Sequence, residues 1–327
     1  MSTEPLLDVR DLCVGLMREG RELPILQDVS FQVMPGEVLG IVGESGAGKS
    51  MTGAAVIDLI VPPVRRTKGS VALAGTRLDL MSAPQIRRVR GKRIGYIFQD
   101  PMTSLNPVLS IGRQLTDTMR RHLPVSKSQA RKRALDWIAR VGLPDPARVF
   151  AAAPHELSGG QRQRIVIALA LCAEPELVIA DEPTTALDVS VQAHMLQLLR
   201  DLHKETGTAM MLITHDLGVI AKMADRVAVF YAGRLVESGP TETVMARPEH
   251  PYTAGLMGAT PAVDETGAMR VRAIPGSMPS IGALPPGCAF HPRCLRAADR
   301  CKADIPALSN GAACHFPLSL EPHHEPK

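Results

Sequence analysis

The octapeptide Gly43-Glu44-Ser45-Gly46-Ala47-Gly48-Lys49-Ser50 constrains this chain more than any other stretch. An apolar run, Val38-Leu39-Gly40-Ile41-Val42, precedes it and reads as a buried strand; a helix-compatible segment, Met51 to Ile60, follows. Strand, glycine-rich loop and helix in that order are the setting in which a backbone can wrap phosphates. Glycines let N–H groups close around phosphate oxygens where side chains would block the approach. The helix start adds roughly half an elementary positive charge aimed at the same anion. Lys49 is placed to reach the β- and γ-phosphates and the Ser50 hydroxyl to hold Mg²⁺. Residues Gly43 to Met51 are therefore expected to bind a nucleoside triphosphate.

Length and composition narrow the rest. A chain of 327 residues accommodates one large domain and a smaller one, since domains run about 100–200 residues. A net charge of +4 is too weak to argue for nucleic acid, and 3% aromatic residues leave little for a base-stacking surface. The basic clusters Arg87-Arg88-Val89-Arg90-Gly91-Lys92-Arg93 and Arg131-Lys132-Arg133 read as solvated helix faces. The opening residues Met1-Ser2-Thr3-Glu4-Pro5 lack a basic-then-apolar signal segment, and no apolar run approaches the roughly 18 residues of a membrane span. A cytosolic chain is expected, with reduced thiols and any membrane role exercised through partners.

Residues 6–42 alternate apolar and polar in short runs and predict antiparallel strands, and Lys68 to Leu80 predicts a further strand and turn. Arg93 to Phe98 predicts a second buried strand, ending in Gln99-Asp100-Pro101 and a loop rich in turn formers, Thr103 to Pro107. Residues 108–142 carry helical apolar spacing through Leu115, Met119, Leu135, Trp137 and Ile138, with Pro144-Asp145-Pro146 as the breaker. Trp137 reads as core. Next, Leu157-Ser158-Gly159-Gly160-Gln161 opens an apolar helix, Ile165 to Cys172: backbone N–H groups at a positive helix end, and so either a second anion site or only a capped helix start.

The run Leu177-Val178-Ile179-Ala180-Asp181-Glu182 reads as a buried strand ending in two carboxylates. Asp181 is placed to hold Mg²⁺ and Glu182 to orient and deprotonate an attacking water. Pro183 to Asp188 turns the chain into a helix over 189–206. The strand Ala209 to Ile213 then delivers Thr214-His215-Asp216, where His215 is a candidate γ-phosphate contact.

This order of motifs resembles the ATP-binding cassette, the motor subunit of ABC transporters. The resemblance implies a P-loop NTPase α/β fold over residues 1–245: a mixed core sheet, an antiparallel β subdomain, and a helical subdomain at about 100–175. It implies that Gln99 is the loop glutamine (a metal and catalytic contact), Ser158, Gly159, Gly160 and Gln161 the signature, and Asp181 the Mg²⁺-site aspartate. It likewise makes Glu182 the catalytic glutamate, Asp188 a dimer-contacting aspartate and His215 the switch histidine. In this family two cassettes close head to tail, so the signature of one serves the ATP held by its partner. One departure stands out: Leu16 occupies the region where cassettes usually stack adenine on an aromatic ring.

Beyond residue 245, His250-Pro251-Tyr252-Thr253, a Pro-rich linker and Cys288-Ala289-Phe290-His291-Pro292-Arg293-Cys294 resemble the C-terminal extension of dipeptide, oligopeptide and nickel importer cassettes. That resemblance implies two membrane permease subunits, a second cassette (identical or different), an extracytoplasmic solute-binding protein, and a place on the cytoplasmic face of the membrane. Cys288, Cys294, Cys301 and Cys314 are separated by five, six and twelve residues. Four thiolates can hold Zn²⁺ or an iron–sulfur cluster. The two-residue spacing usual in zinc sites is missing, and the resemblance implies a [4Fe–4S] cluster, with zinc or free thiols as alternatives and a structural role expected. Cys13 and Cys172 are expected in the core, and His291 and His315 beside the ligands. Two other classes compete: a soluble cassette ATPase acting on DNA or the ribosome, against which stand a single phosphate loop and no sustained heptads, and a metal or redox sensor.

Overall fold

The structure is a computed structural model that describes residues 4–184, 189–259, 262–263, 269–270 and 272–319. Asp188 lies outside the described residues. The chain divides into two compact units, one of residues 1–6, 33–37 and 80–211, the other of residues 7–32, 38–79 and 212–327.

In the first unit, strand Ile94–Ile97 runs parallel to Leu177–Asp181, with Ile94 opposite Leu177 and Ile97 opposite Ala180. Alternation is absent from Leu177–Asp181 because all five residues are buried, as expected of a strand covered on both faces. Arg93 fastens the start of this pair: its guanidinium forks onto Glu176 at 2.5 and 2.9 Å, and its carbonyl accepts from the Glu176 and Leu177 N–H groups. The basic cluster around it is thus not wholly a free solvated face. Helices Ile111–His122, Lys127–Arg140, Pro146–Ala151 and Gly159–Leu171 follow one another. Their buried seam includes Leu115, Met119, Ala134, Ile138 and Ile165.

The apolar spacing over 108–142 resolves into two helices, broken at Leu123–Val125. Pro124 cannot donate to the preceding turn, and Ser126 and Gln129 then form a reciprocal cap that starts the second helix. The expected loop after Gln99 contains one helical turn, Pro101–Ser104, capped by the Asp100 carboxylate on Met102 N–H at 2.8 Å. Trp137 is 6% exposed, with the Arg140 guanidinium 4.2 Å from its ring centroid, which places it in the core.

In the second unit, strands Arg21–Val33, Leu7–Arg18, Val64–Leu73 and Thr76–Arg77 lie side by side in that order. The pairing of Leu7–Arg18 with Val64–Leu73 is antiparallel, from Leu7 opposite Leu73 to Leu16 opposite Val64. It buries Leu7, Val9, Val71 and Leu73 on one face. Cys13, expected in the core, is only half-buried: it sits at a register shift in this ladder, its sulfur accepting from Asp28 N–H at 3.3 Å. Cys172 is fully buried.

Strand Val38–Val42, buried throughout, runs parallel to Arg226–Tyr231, which pairs antiparallel with Arg234–Pro240. Helix Lys49–Val56 follows Val38–Val42 and is shorter than the sequence suggests. Strand Ala209–Thr214 crosses from the first unit into the second between Met211 and Leu212.

Within the first unit, Gly95 is tightly constrained. A methyl group there would lie 2.3 Å from the Ala170 carbonyl oxygen, which is helix backbone and cannot rotate away. Gly95→Ala is expected to lower stability by about 1–3 kcal/mol, read as a lower urea midpoint with an unchanged denaturant slope.

Candidate functional site

The phosphate loop hangs between Val42 and helix Lys49–Val56 in the second unit. Gly48, which precedes that helix, has φ of +100°, a conformation that side chains rarely adopt. A methyl group there would also stand 2.7 Å from Leu26 Cδ2. Lys49 is 5% exposed, and its ammonium donates to the carbonyls of Gly43 and Glu44 at 2.8 and 3.0 Å. A buried cation is thereby held across the loop, while Ser45, Gly46 and Ser50 remain exposed. This donor set fits a polyphosphate, because a fixed charge and a glycine-lined backbone are held in one loop where both could serve an anion.

Glu44 is the one carboxylate in the loop, and it is fully engaged within the unit. Its N–H donates to the Tyr252 hydroxyl at 2.8 Å, and its carboxylate takes both terminal nitrogens of Arg293, at 2.6 and 2.9 Å. Tyr252 and Arg293 come from the C-terminal extension, and their contacts with the loop are not anticipated from the sequence. His215 follows strand Ala209–Thr214 as an exposed residue, beside Asp216, whose carboxylate caps helix Leu217–Met223 on Gly218 and Val219 N–H. Leu16 is half-buried in its strand.

The first unit carries the other group of expected residues. Asp181, 6% exposed, ends its strand and accepts from the Tyr96 hydroxyl at 3.2 Å. Burial, and the Asp181 charge beside it, push the Tyr96 phenol well above its ordinary pKa, so it stays a donor. Glu182 takes φ of +47°, an uncommon conformation for a side chain of this size, and accepts from Gln99 Nε2 at 3.1 Å. The structure thus brings Gln99 and Glu182 together. Buried Gln163 donates to the Pro183 carbonyl at 2.7 Å, tying helix Gly159–Leu171 to the turn after Glu182. Tyr96 and Gln163 escaped sequence reasoning, although a glutamine on the inner face of an apolar helix is itself a signal. Ser158 caps that helix reciprocally: its hydroxyl accepts from Gln161 N–H at 3.3 Å and its N–H donates to the Gln161 side chain at 3.0 Å. Ser158 and Gly159 are exposed.

Cys288, Cys294, Cys301 and Cys314 line a single pocket, together with His291 and His315. Burial pushes the Cys314 thiol up to about 11 and moves those of Cys288 and Cys294 in the same direction. Arg296 N–H donates to Cys294 Sγ at 3.4 Å, and His291 and His315 contact the carbonyls of Cys288 and Asp304. Among the described residues, however, no three His, Cys, Asp or Glu side chains stand close enough to hold a metal ion. The donor chemistry of the pocket is that of a thiolate metal site.

Residues 26–185 match the ABC transporter family model and residues 236–301 match that of the oligopeptide/dipeptide transporter C-terminal region. The chain is 47% identical to the oligopeptide transport ATP-binding protein OppD of Bacillus subtilis (strain 168), over 92% of this chain and 83% of that protein. It belongs to the ABC transporter ATPases of the oligopeptide/dipeptide type.

A putative peptide import ATP-binding protein of Brucella melitensis biotype 1 is 45% identical, over 95% of each chain. Among solved structures, the ATP-binding cassette MJ0796, a dimer in a post-hydrolysis state bound to ADP and Pi, superposes with a TM-score of 0.65. It is 26% identical, covering 72% of this chain and 98% of that one. The cassette cbiO1 of Clostridium perfringens, part of a cbiONQ transporter complex, gives 0.64 at 26% identity, covering 74% and 91%. As an ABC ATPase this chain uses ATP and Mg²⁺, dimerises and works with membrane permeases. Among the described residues no helix is long and apolar enough to cross a membrane.

The Ser158 cap separates its two possible roles. Ser158→Ala removes the cap and is expected to cost about 1 kcal/mol, whereas Ser158→Asp preserves it. If Ser158 also faces a partner's nucleotide, the aspartate variant keeps wild-type thermal stability but loses ATP-driven dimerisation, measured by size-exclusion chromatography with MgATP.

Proposed function

We propose that this ABC ATPase powers import of dipeptides or oligopeptides, as a peripheral subunit on the cytoplasmic face of the membrane. Nickel or another small solute is the alternative cargo. The observation that carries the proposal is the joining of a complete phosphate loop to an oligopeptide-type extension in one chain. The names of the relatives, both concerned with peptide transport, add weight. A second cassette, identical or different, and an extracytoplasmic solute-binding protein complete the proposed assembly. A role on DNA or the ribosome gains no support from any observed feature. The boundary between cassette and extension is proposed at residues 245 and 246.

The residue roles proposed here are those the cassette resemblance implies, and the two local geometries support some of them. The backbone of Gly43 to Met51 and the Lys49 ammonium bind the triphosphate and offset its charge. Ser50, Gln99 and Asp181 are the proposed Mg²⁺ contacts, with Tyr96 fixing the orientation of Asp181 from behind. Bound Mg²⁺ would supply charge neutralisation on the phosphate oxygens. Glu182 holds the attacking water and accepts its proton. Its left-handed backbone supports that role, because such conformations recur where a side chain must be aimed. Gln99, hydrogen-bonded to Glu182, keeps that carboxylate in place in this structure, and His215 is proposed to contact the γ-phosphate. Ser158, Gly159, Gly160, Gln161 and Asp188 are proposed to complete the partner's site when two cassettes close. Hydrolysis then removes a contact between the halves and resets the transporter.

The four-cysteine pocket is proposed as the seat of a [4Fe–4S] cluster, with Zn²⁺ as the alternative. The shared pocket and the N–H bond to Cys294 sulfur support it. Brown colour and visible absorption in an anaerobic preparation would favour the cluster, and a colourless, metal-free preparation would exclude both metals.

Glu182→Gln is expected to abolish ATP turnover in the assembled transporter while ATP binding persists. Turnover at the wild-type rate would remove Glu182 from its role. Mass spectrometry of the complex purified through this chain should find two permease subunits, and their absence would overturn the transport reading.

A further inference from the structure

The loop residue Glu44 presents a physical problem. Phosphate loops bind anions through backbone N–H groups and a lysine, and a carboxylate inside the loop opposes that binding. In this chain the carboxylate does not face solvent alone. Arg293, whose side chain is 5% exposed, closes a two-bond fork on both of its oxygens at 2.6 and 2.9 Å. The guanidinium is itself fixed: Nε donates to the Pro275 carbonyl at 2.7 Å, and a terminal nitrogen reaches the Tyr231 hydroxyl at 3.4 Å. Around it stand the rings of Tyr231, Tyr252 and Phe290, with Tyr231 and Phe290 centroids 5.2 Å apart and Tyr231 and Tyr252 centroids 4.6 Å apart. Tyr252, fully buried, holds the Glu44 backbone N–H from the same side.

We propose that Arg293 is a positioning residue for the phosphate loop, cancelling the Glu44 carboxylate and fixing the backbone at the residue whose carbonyl also receives Lys49. The proposal rests on the reading of Gly43–Ser50 as the ATP site. It gives the C-terminal extension a part in nucleotide binding that neither sequence match assigns. A forked guanidinium suits this task better than an ammonium, since it meets both carboxylate oxygens with little loss of freedom. The consequence is asymmetric. Losing Arg293 leaves an uncompensated negative charge in an anion site, whereas losing both charges does not.

The test uses the full-length chain in its assembled transporter, with the ATP dependence of hydrolysis as readout. Arg293→Ala is expected to raise KM for MgATP on the order of tenfold, comparable to losing an outer group that orients a binding shell, with the loss falling on KM rather than kcat. Adding Glu44→Gln to that variant should recover most of the affinity, which a merely structural defect would not do. A wild-type KM in Arg293→Ala, or a double variant no better than the single one, overturns the proposal. If Arg293→Ala fails to fold, Arg293→Lys serves in its place: its single ammonium cannot satisfy Glu44, Pro275 and Tyr231 together, so KM should rise and become more salt-sensitive. An unchanged KM and salt response in that variant overturns the proposal as well. Lys49→Ala separates the two levels of inference. Retained MgATP binding there would sink the site assignment itself, whereas lost binding alongside wild-type behaviour of the Arg293 variants would sink only the positioning role.

Discussion

Every residue of strands Val38–Val42 and Leu177–Asp181 is buried, so their backbone groups must find partners in a ladder and their side chains must be apolar until the last residue. This requirement decides where chemistry can occur. In these fully buried strands charged and strained residues appear only as the strand emerges: the phosphate loop after Val42, Asp181 and Glu182 at the end of Leu177–Asp181, and His215 after Thr214. The same holds for Gln99, which follows Ile97 within the first unit. Parallel neighbours cannot be joined by tight turns, so each of these ends leads into a connection long enough to carry a further function.

The second constraint is electrostatic. A loop that binds polyphosphate must concentrate positive potential, yet Glu44 introduces the opposite charge into it. The extension answers with a buried arginine set among aromatic rings, in a site where the guanidinium is held by four acceptors from Glu44, Pro275 and Tyr231. This arrangement also accounts for part of the order in a tail too small to own a core. Phe290 and Tyr252 pack on Tyr231, and the tail backbone bonds to strand Arg234–Pro240 through Ala313 to Val236 and Ser238 to Gly311. The cysteines therefore need not be the tail's sole fastening.

The pocket that gathers the four cysteines bears on the sensor reading as well. Reactive cysteines have lowered pKa values and stand beside positive charge. Here burial raises the thiols of Cys288, Cys294 and Cys314, which as free groups would be protonated and slow to react at neutral pH. That chemistry suits a quiet structural pocket better than an exposed redox switch.

Local sequence was enough to place the phosphate loop, the buried strand before Asp181, the capped start of helix Gly159–Leu171 and the parentage of the extension. Each of these is local, written in the spacing of glycines, caps and apolar runs, where backbone conformation follows from a few neighbouring residues. Asp188, equally clear as a motif position, lies outside the described residues. The three-dimensional packing was needed to show that Arg293 closes on Glu44, 249 residues away, that Tyr96 backs Asp181, and that Gln163 holds Pro183. It also showed that Cys13 sits half-buried at a register shift and that the four late cysteines share a pocket. These are long-range pairings of side chains whose sequence neighbourhoods are unremarkable. They exist because the packed core brings distant polar groups together and burial then requires each of them to find a partner.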